Sequence, residues 1–118
     1  MINETKNIQG FWKIIDEMIA SHNIIIDRHA GSKHPKWNWT YEVDYGYLEG
    51  TMAADGEGID VWVGTHPDTM ANAIICIVDG LQCDSEIKIL VSCTEKEIEY
   101  VYNIHNKFDS MKGILIRR

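Results

Sequence analysis

Three carboxylates fall within six residues at Asp55–Gly56–Glu57–Gly58–Ile59–Asp60, with glycines between them. Oxygen ligands set close together, on a backbone that can turn sharply, are what a hard divalent cation requires. Mg²⁺ and Mn²⁺ suit such a cluster, because they use few carboxylates and leave positions to water and phosphate oxygens. An EF-hand loop is excluded, since it needs a ligand and then a glycine where Ile59 and Asp60 stand. The same residues also read as a solvated acidic turn. That explains Glu57 readily and Asp60 poorly. Asp60 lies inside a strand pattern, Ile59–Asp60–Val61–Trp62–Val63, and shares a face with Trp62, away from the aliphatic side. On residue chemistry alone the two readings stand level.

Other groups could join such a centre. Glu86 and Lys88 sit one pleat apart on an alternating run, as an exposed charge pair or as a metal ligand beside a phosphate-binding ammonium. Tyr45 and Tyr47 carry hydroxyls that can donate to an anion from a pocket wall, although both also suit a core. Asp27 to Lys36 is polar, punctuated by Gly31 and Pro35, and locally basic in an acidic chain. It reads as an exposed loop, solvated or facing an anion. Gly31–Ser32–Lys33 lacks the order of a phosphate-binding P-loop. The histidines show no metal-ligand spacing and read as surface or capping residues. Cys76, Cys83 and Cys93 are odd in number, without paired spacing, and read as reduced thiols.

Positioning these groups falls to one domain spanning residues 1–118. A net charge of −7 argues against a nucleic-acid or anionic-membrane binder. No apolar run is long enough to span a membrane, no signal segment follows Met1, and a cytoplasmic protein is expected. Residues 1–8 are polar and expected to fray. Phe11, Ile15 and Ile19, with Trp12 and Met18 beside them, predict an amphipathic helix over Gln9–His22. Strands are predicted at Ile24–Ile26, Trp37–Val43, Ile59–Val63, Asn72–Val78, Glu86–Val91 and Ile114–Ile116. Thr94–Glu95–Lys96–Glu97 is a capping box opening a second helix, striped by Ile98, Val101, Tyr102 and His105. The expected fold is α+β, mainly β: a small, curved, antiparallel sheet or barrel with one or two flanking helices.

Asp44–Tyr45–Gly46–Tyr47, followed without a gap in spacing by Asp55–Gly56–Glu57–Gly58–Ile59–Asp60–Val61, resembles the family I soluble inorganic pyrophosphatases. The resemblance covers residues 41–63 most closely and 24–40 and 74–107 more weakly. It implies an OB-like barrel and hydrolysis of pyrophosphate to two phosphates with Mg²⁺. Asp55, Glu57 and Asp60 would hold metal, with Asp55 and Asp60 central to catalysis through activated water. Tyr45 matches a phosphate-binding tyrosine, and Glu86–Ile87–Lys88 a later metal-and-phosphate element. Lys33 and Lys36 match a basic phosphate segment.

The chain departs from the family at several points. Glu57 replaces an aspartate, Gly58 a proline and Asn38 a glutamate, while His105–Asn106 stand where a Tyr-Lys pair belongs. The segment between Lys36 and Tyr41 is too short to carry the family's arginine, for which Arg28 is the substitute. The loop before Glu86 is short as well, leaving Asp84 to supply its aspartate. The resemblance thus implies a divergent hydrolase of phosphate metabolism that keeps the metal floor and thins the phosphate walls. The alternatives are a non-catalytic metal- or phosphate-binding descendant and a purely structural module. A homo-oligomer is an open expectation, because residues 37–47 read equally as subunit contact and as core.

Overall fold

The computed structural model describes residues 1–118. Helix α1 spans Glu4–Ser21 and starts five residues before the predicted Gln9. Asn3 causes the difference: its side chain accepts a hydrogen bond from the Lys6 amide at 3.1 Å, satisfying an otherwise orphaned donor. Trp12 and Ile15 are buried, with Ile19 packed beside them, while Phe11 is exposed. The buried stripe is therefore rotated toward Trp12.

Six strands follow: β1 (Ile24–Arg28), β2 (Asp44–Leu48), β3 (Ile59–Val63), β4 (Ala71–Asp79), β5 (Asp84–Val91) and β6 (Met111–Arg117). Helix α2 (Glu95–Ile104) lies between β5 and β6. The sheet runs β1-β2-β3-β5-β4-β6. Beyond β3 the chain passes to β4 and returns through a hairpin, so that β5 inserts between β3 and β4. This makes β3 and β5 parallel, whereas every other pair is antiparallel. No pairing joins β1 to β6, so of the expected antiparallel sheet or barrel the chain forms an open sheet, and one of its pairs is parallel.

The predicted strand at Trp37–Val43 is irregular chain. Main-chain bonds from Gly31 to Tyr41 and from Tyr41 to Ser32 draw the segment into a hairpin-like loop. A tight turn at Trp37–Trp39 consumes the residues that a ladder would need, leaving one bridge between Lys33 and Thr40. The β4–β5 connection, Gly80–Cys83, is tied by Asp79, whose Oδ1 accepts from the Leu81 and Gln82 amides.

Both faces of the sheet carry a core. Helix α1 covers Leu48, Val61, Ile74, Ile89 and Val91. The opposite face holds Tyr41, Val43, Trp62, Ile75, Leu90 and, from α2, Ile98 and Val101. Trp62 is only 2% exposed, so the face it shares with Asp60 is an aromatic core with a polar rim. The Thr94 box forms as predicted, and Glu97 also accepts from the Thr65 amide, tying α2 to the end of β3.

Candidate active site around the Lys88 ammonium

Sheet register brings the site together. Tyr45 pairs with Trp62 and Tyr47 with Asp60 across β2 and β3. Trp62 in turn pairs with Leu90 on β5, one pleat from Lys88. Alternation then places Tyr45, Asp60, Glu86 and Lys88 on the α2 side of the sheet.

Lys88 is the centre of the group. Its Nζ donates to the Tyr45 hydroxyl oxygen at 2.5 Å and to Asp60 Oδ2 at 2.7 Å, and it lies 3.0 Å from Glu86 Oε1. The same ammonium stands 5.0 Å from the centroid of the Tyr45 ring. The Lys88 side chain is 7% exposed, against 28% for Asp60 and 32% for Glu86, so the cation is sunk and the carboxylates form a rim. Burial works against the Lys88 charge, but the Tyr45 oxygen and the Asp60 carboxylate outweigh it, and its pKa is raised. Burial raises the pKa of Tyr45, so its hydroxyl keeps its proton and remains a donor. The result is a buried cation, a phenolic donor and two carboxylates sharing one polar point.

The acidic loop stands apart from this group. Asp55 and Glu57 are exposed. Asp55 Oδ1 accepts the Glu57 amide at 3.0 Å, and the Ala53 amide donates to the Glu57 carbonyl at 2.6 Å, so Asp55 closes its own turn. Asp84 is exposed at the start of β5, on the same face as Glu86 but a further pleat out. Nowhere do three or more His, Cys, Asp or Glu side chains converge at metal-binding spacing. Of the expected metal set Asp55, Glu57, Asp60, Glu86 and Asp84, Asp60 and Glu86 reach a common point, the Lys88 ammonium.

Gly58 has a packing role of its own. A Cβ there would lie 2.7 Å from Tyr47 Cδ2 and 3.0 Å from the Leu48 carbonyl oxygen. The Tyr47 ring occupies the space that a side chain at position 58 would need.

The basic candidates are exposed around the 29–41 loop. Arg28 ends β1 opposite Tyr45. Burial, with Arg28 and then Lys36, lowers the pKa of His34. The Lys36 amide donates to His34 Nδ1 at 3.0 Å. Lys33 sits in the bridge to Thr40. None of the three pairs with a carboxylate within 4 Å. Asp44 anchors the loop by accepting the Ala30 amide at 2.7 Å.

Residue-type reasoning missed the aromatic wall behind the site. Tyr45 packs 4.6 Å from Trp62, and Tyr41 stacks 6.0 Å from Tyr45, measured between ring centroids. His105 is the C-cap of α2, in keeping with a capping role, and its ring is buried, with Nε2 accepting from Trp62 Nε1 at 3.1 Å. An indole can only donate, so the proton of this neutral imidazole sits on Nδ1. Burial, helped by Lys88, pushes the His105 pKa down to about 3. The signal for this wall was present in the sequence: Trp62 alternates with Val61, and His105 closes the α2 stripe. Among the thiols, Cys93 is buried, and burial followed by Glu97 pushes it up to about 12, which makes it unreactive.

The family model described as Inorganic Pyrophosphatase matches residues 5–115. An inorganic pyrophosphatase from Coxiella burnetii is similar over 80% of this chain and 84% of that chain, with a TM-score of 0.61 and 14% identity. One from Neisseria gonorrhoeae is similar over 75% and 77%, with a TM-score of 0.56 and 16% identity. One from Helicobacter pylori is similar over 82% and 85%, with a TM-score of 0.56 and 10% identity. At these identities the likeness is one of fold. No curated protein sequence matches the chain.

Proposed function

The chain belongs to the inorganic pyrophosphatase family, and from that premise we propose that it hydrolyses pyrophosphate to two phosphates with Mg²⁺ at the Lys88 site. The observation carrying this reading is the meeting of Tyr45, Asp60 and Glu86 on the Lys88 ammonium. These are positions that the sequence resemblance assigns to phosphate and metal.

The donor set fits magnesium in its sparse mode. The Asp60 and Glu86 carboxylates are partly exposed on the rim beside the buried Lys88 ammonium, and Mg²⁺ commonly takes one or two carboxylates, with water and phosphate oxygens completing its shell. These two residues would hold the ion; Mn²⁺ asks for the same oxygens. Asp55, Glu57 and Asp84 lie further out as additional oxygens. When bound, the ion supplies positive charge to the phosphate oxygens and acidifies a water.

The protein groups orient and neutralise. Lys88 remains charged and Tyr45 remains protonated, so both donate to phosphate oxygens. Their burial strengthens each bond, because little water competes. Asp60 balances the Lys88 charge between turnovers. Arg28, Lys33 and Lys36 attract the anion to an otherwise acidic protein. The cytoplasm suits the three free cysteines. No helix is long and apolar enough to cross a membrane.

The test is phosphate release from pyrophosphate with and without Mg²⁺. The wild type should release phosphate only with the metal, and Asp60→Asn should be slower by at least about a hundredfold. Metal-independent release, or equal rates for the two proteins, overturns the reading. Binding without turnover is the second reading. The outward position of Asp55 and Glu57 favours it. Calorimetric binding of Mg²⁺ and phosphate with no release would establish it.

A further inference from the structure

A cavity of about 400 Å³ opens beside the Lys88 site, between the 29–41 loop, the β4–β5 hairpin and the segment leading into β6. Its walls are mostly rings, among them His34, Trp37, Trp39, Tyr41, Trp62 and Phe108. His34 meets Trp39 edge-on at 4.9 Å, and Trp37 lies 5.6 Å from Phe108. Ring walls of this kind offer pyrophosphate nothing, because the anion has no apolar surface and an aromatic face is electronegative.

Three observations point to a ligand. First, the Trp39 indole N–H is buried and makes no hydrogen bond of acceptable geometry, although the Tyr41 hydroxyl is near enough to sense it. A buried donor left unpaired is costly, and a ligand acceptor would satisfy it. Second, Tyr45 belongs to both places: its ring lines the cavity and its hydroxyl receives Lys88. Third, cations stand around the opening. Lys107 Nζ lies 5.1 Å from the Trp39 ring centroid, and Lys36 is held to the cavity-lining His34 by its amide, 3.0 Å from Nδ1.

We propose that this cavity binds a planar heteroaromatic group carried by a phosphoanhydride whose phosphates sit at Lys88 and Tyr45. A nucleoside diphosphate is the simplest compound of that class. The proposal rests on the phosphate site described above and extends its substrate beyond pyrophosphate. The volume lies in the range of small-ligand pockets and suits one ring system. Stacking on aromatic side chains accepts any planar base, while the Trp39 N–H and the polar Gln82 and Ser110 at the wall select for ring nitrogen and oxygen. Hydrolysis of such a compound joins a water oxygen to the terminal phosphorus and breaks the bridging P–O bond. The electron pair stays on the ring-bearing phosphate, and one proton is released to solvent.

Tryptophan fluorescence with Mg²⁺ present tests this, because three of the four tryptophans line the cavity. ADP, adenosine and pyrophosphate are titrated separately, and phosphate release is followed in parallel. ADP should bind at least about tenfold more tightly than either of the others. Trp37→Ala, at a half-exposed ring whose loss leaves the core intact, should erase that advantage and leave pyrophosphate release unchanged. Phe108→Ala should act in the same direction. ADP binding no tighter than pyrophosphate, or unmoved by both variants, overturns the inference, and pyrophosphate release in the same samples keeps the hydrolytic reading separate. Adenosine binding as tightly as ADP overturns the link between cavity and phosphate site. Ring-dependent ADP binding without release from any compound supports the cavity and overturns the hydrolysis.

Discussion

Lys88 holds the site by satisfying three neighbours at once. Removing it leaves two carboxylates and a buried phenol without their cation. Lys88→Met should lower stability by about 3 kcal/mol, the low end for a broken buried pair because both carboxylates are partly solvated. A shift of the urea midpoint at constant slope measures it. His105 makes an opposite kind of contribution. Its folded-state pKa of about 3 lies below the ordinary value of 6.5, so the unfolded chain binds a proton that the folded chain refuses. Its contribution is complete above pH 6.5 and is lost as pH falls toward 3, at up to about 1.4 kcal/mol per pH unit. Urea unfolding between pH 6.5 and 4.5 should show a steeper loss for the wild type than for His105→Gln. Equal slopes would mean that His105 titrates normally.

At the scale of elements, β2, β3 and β5 position the chemistry and the preceding loop limits it. Gly58 shows how tightly β3 enters: Gly58→Ala drives a Cβ into Tyr47 and should cost about 1–2 kcal/mol, read as a lower unfolding midpoint. The strands carrying Asp60 and Lys88 were legible because alternation is a local signal, and it placed Asp60 with Trp62 and Glu86 with Lys88 correctly. The capping box of α2 was equally local. Trp37–Val43 was misread because aromatic residues favour strands, yet here they cap a cavity and the backbone turns to let them. For Asp55 the residue chemistry leaves ligand and solvated turn level, and only the family resemblance favours a ligand. Whether such a carboxylate turns inward or bonds its own loop depends on a main-chain geometry that spacing does not encode.

Across the whole molecule, long-range order was the least legible. The parallel β3–β5 pair arises from β5 inserting between two strands that precede it in the chain, and no local pattern announces that insertion. The insertion nonetheless creates the site, because it is what sets Lys88 beside Asp60. An open sheet with helices on opposite faces then leaves the α2 side free to hold both an aromatic wall and a polar rim. On the proposed reading, water cleaves pyrophosphate at this rim. Its most direct test is turnover of pyrophosphate in oxygen-18 water with Mg²⁺, read by mass spectrometry of the product phosphate. One solvent oxygen should be incorporated per pyrophosphate consumed, with the rate collapsing in Asp60→Asn. Unlabelled pyrophosphate remaining intact under wild-type protein, or label appearing at the same rate with Asp60→Asn, would contradict it.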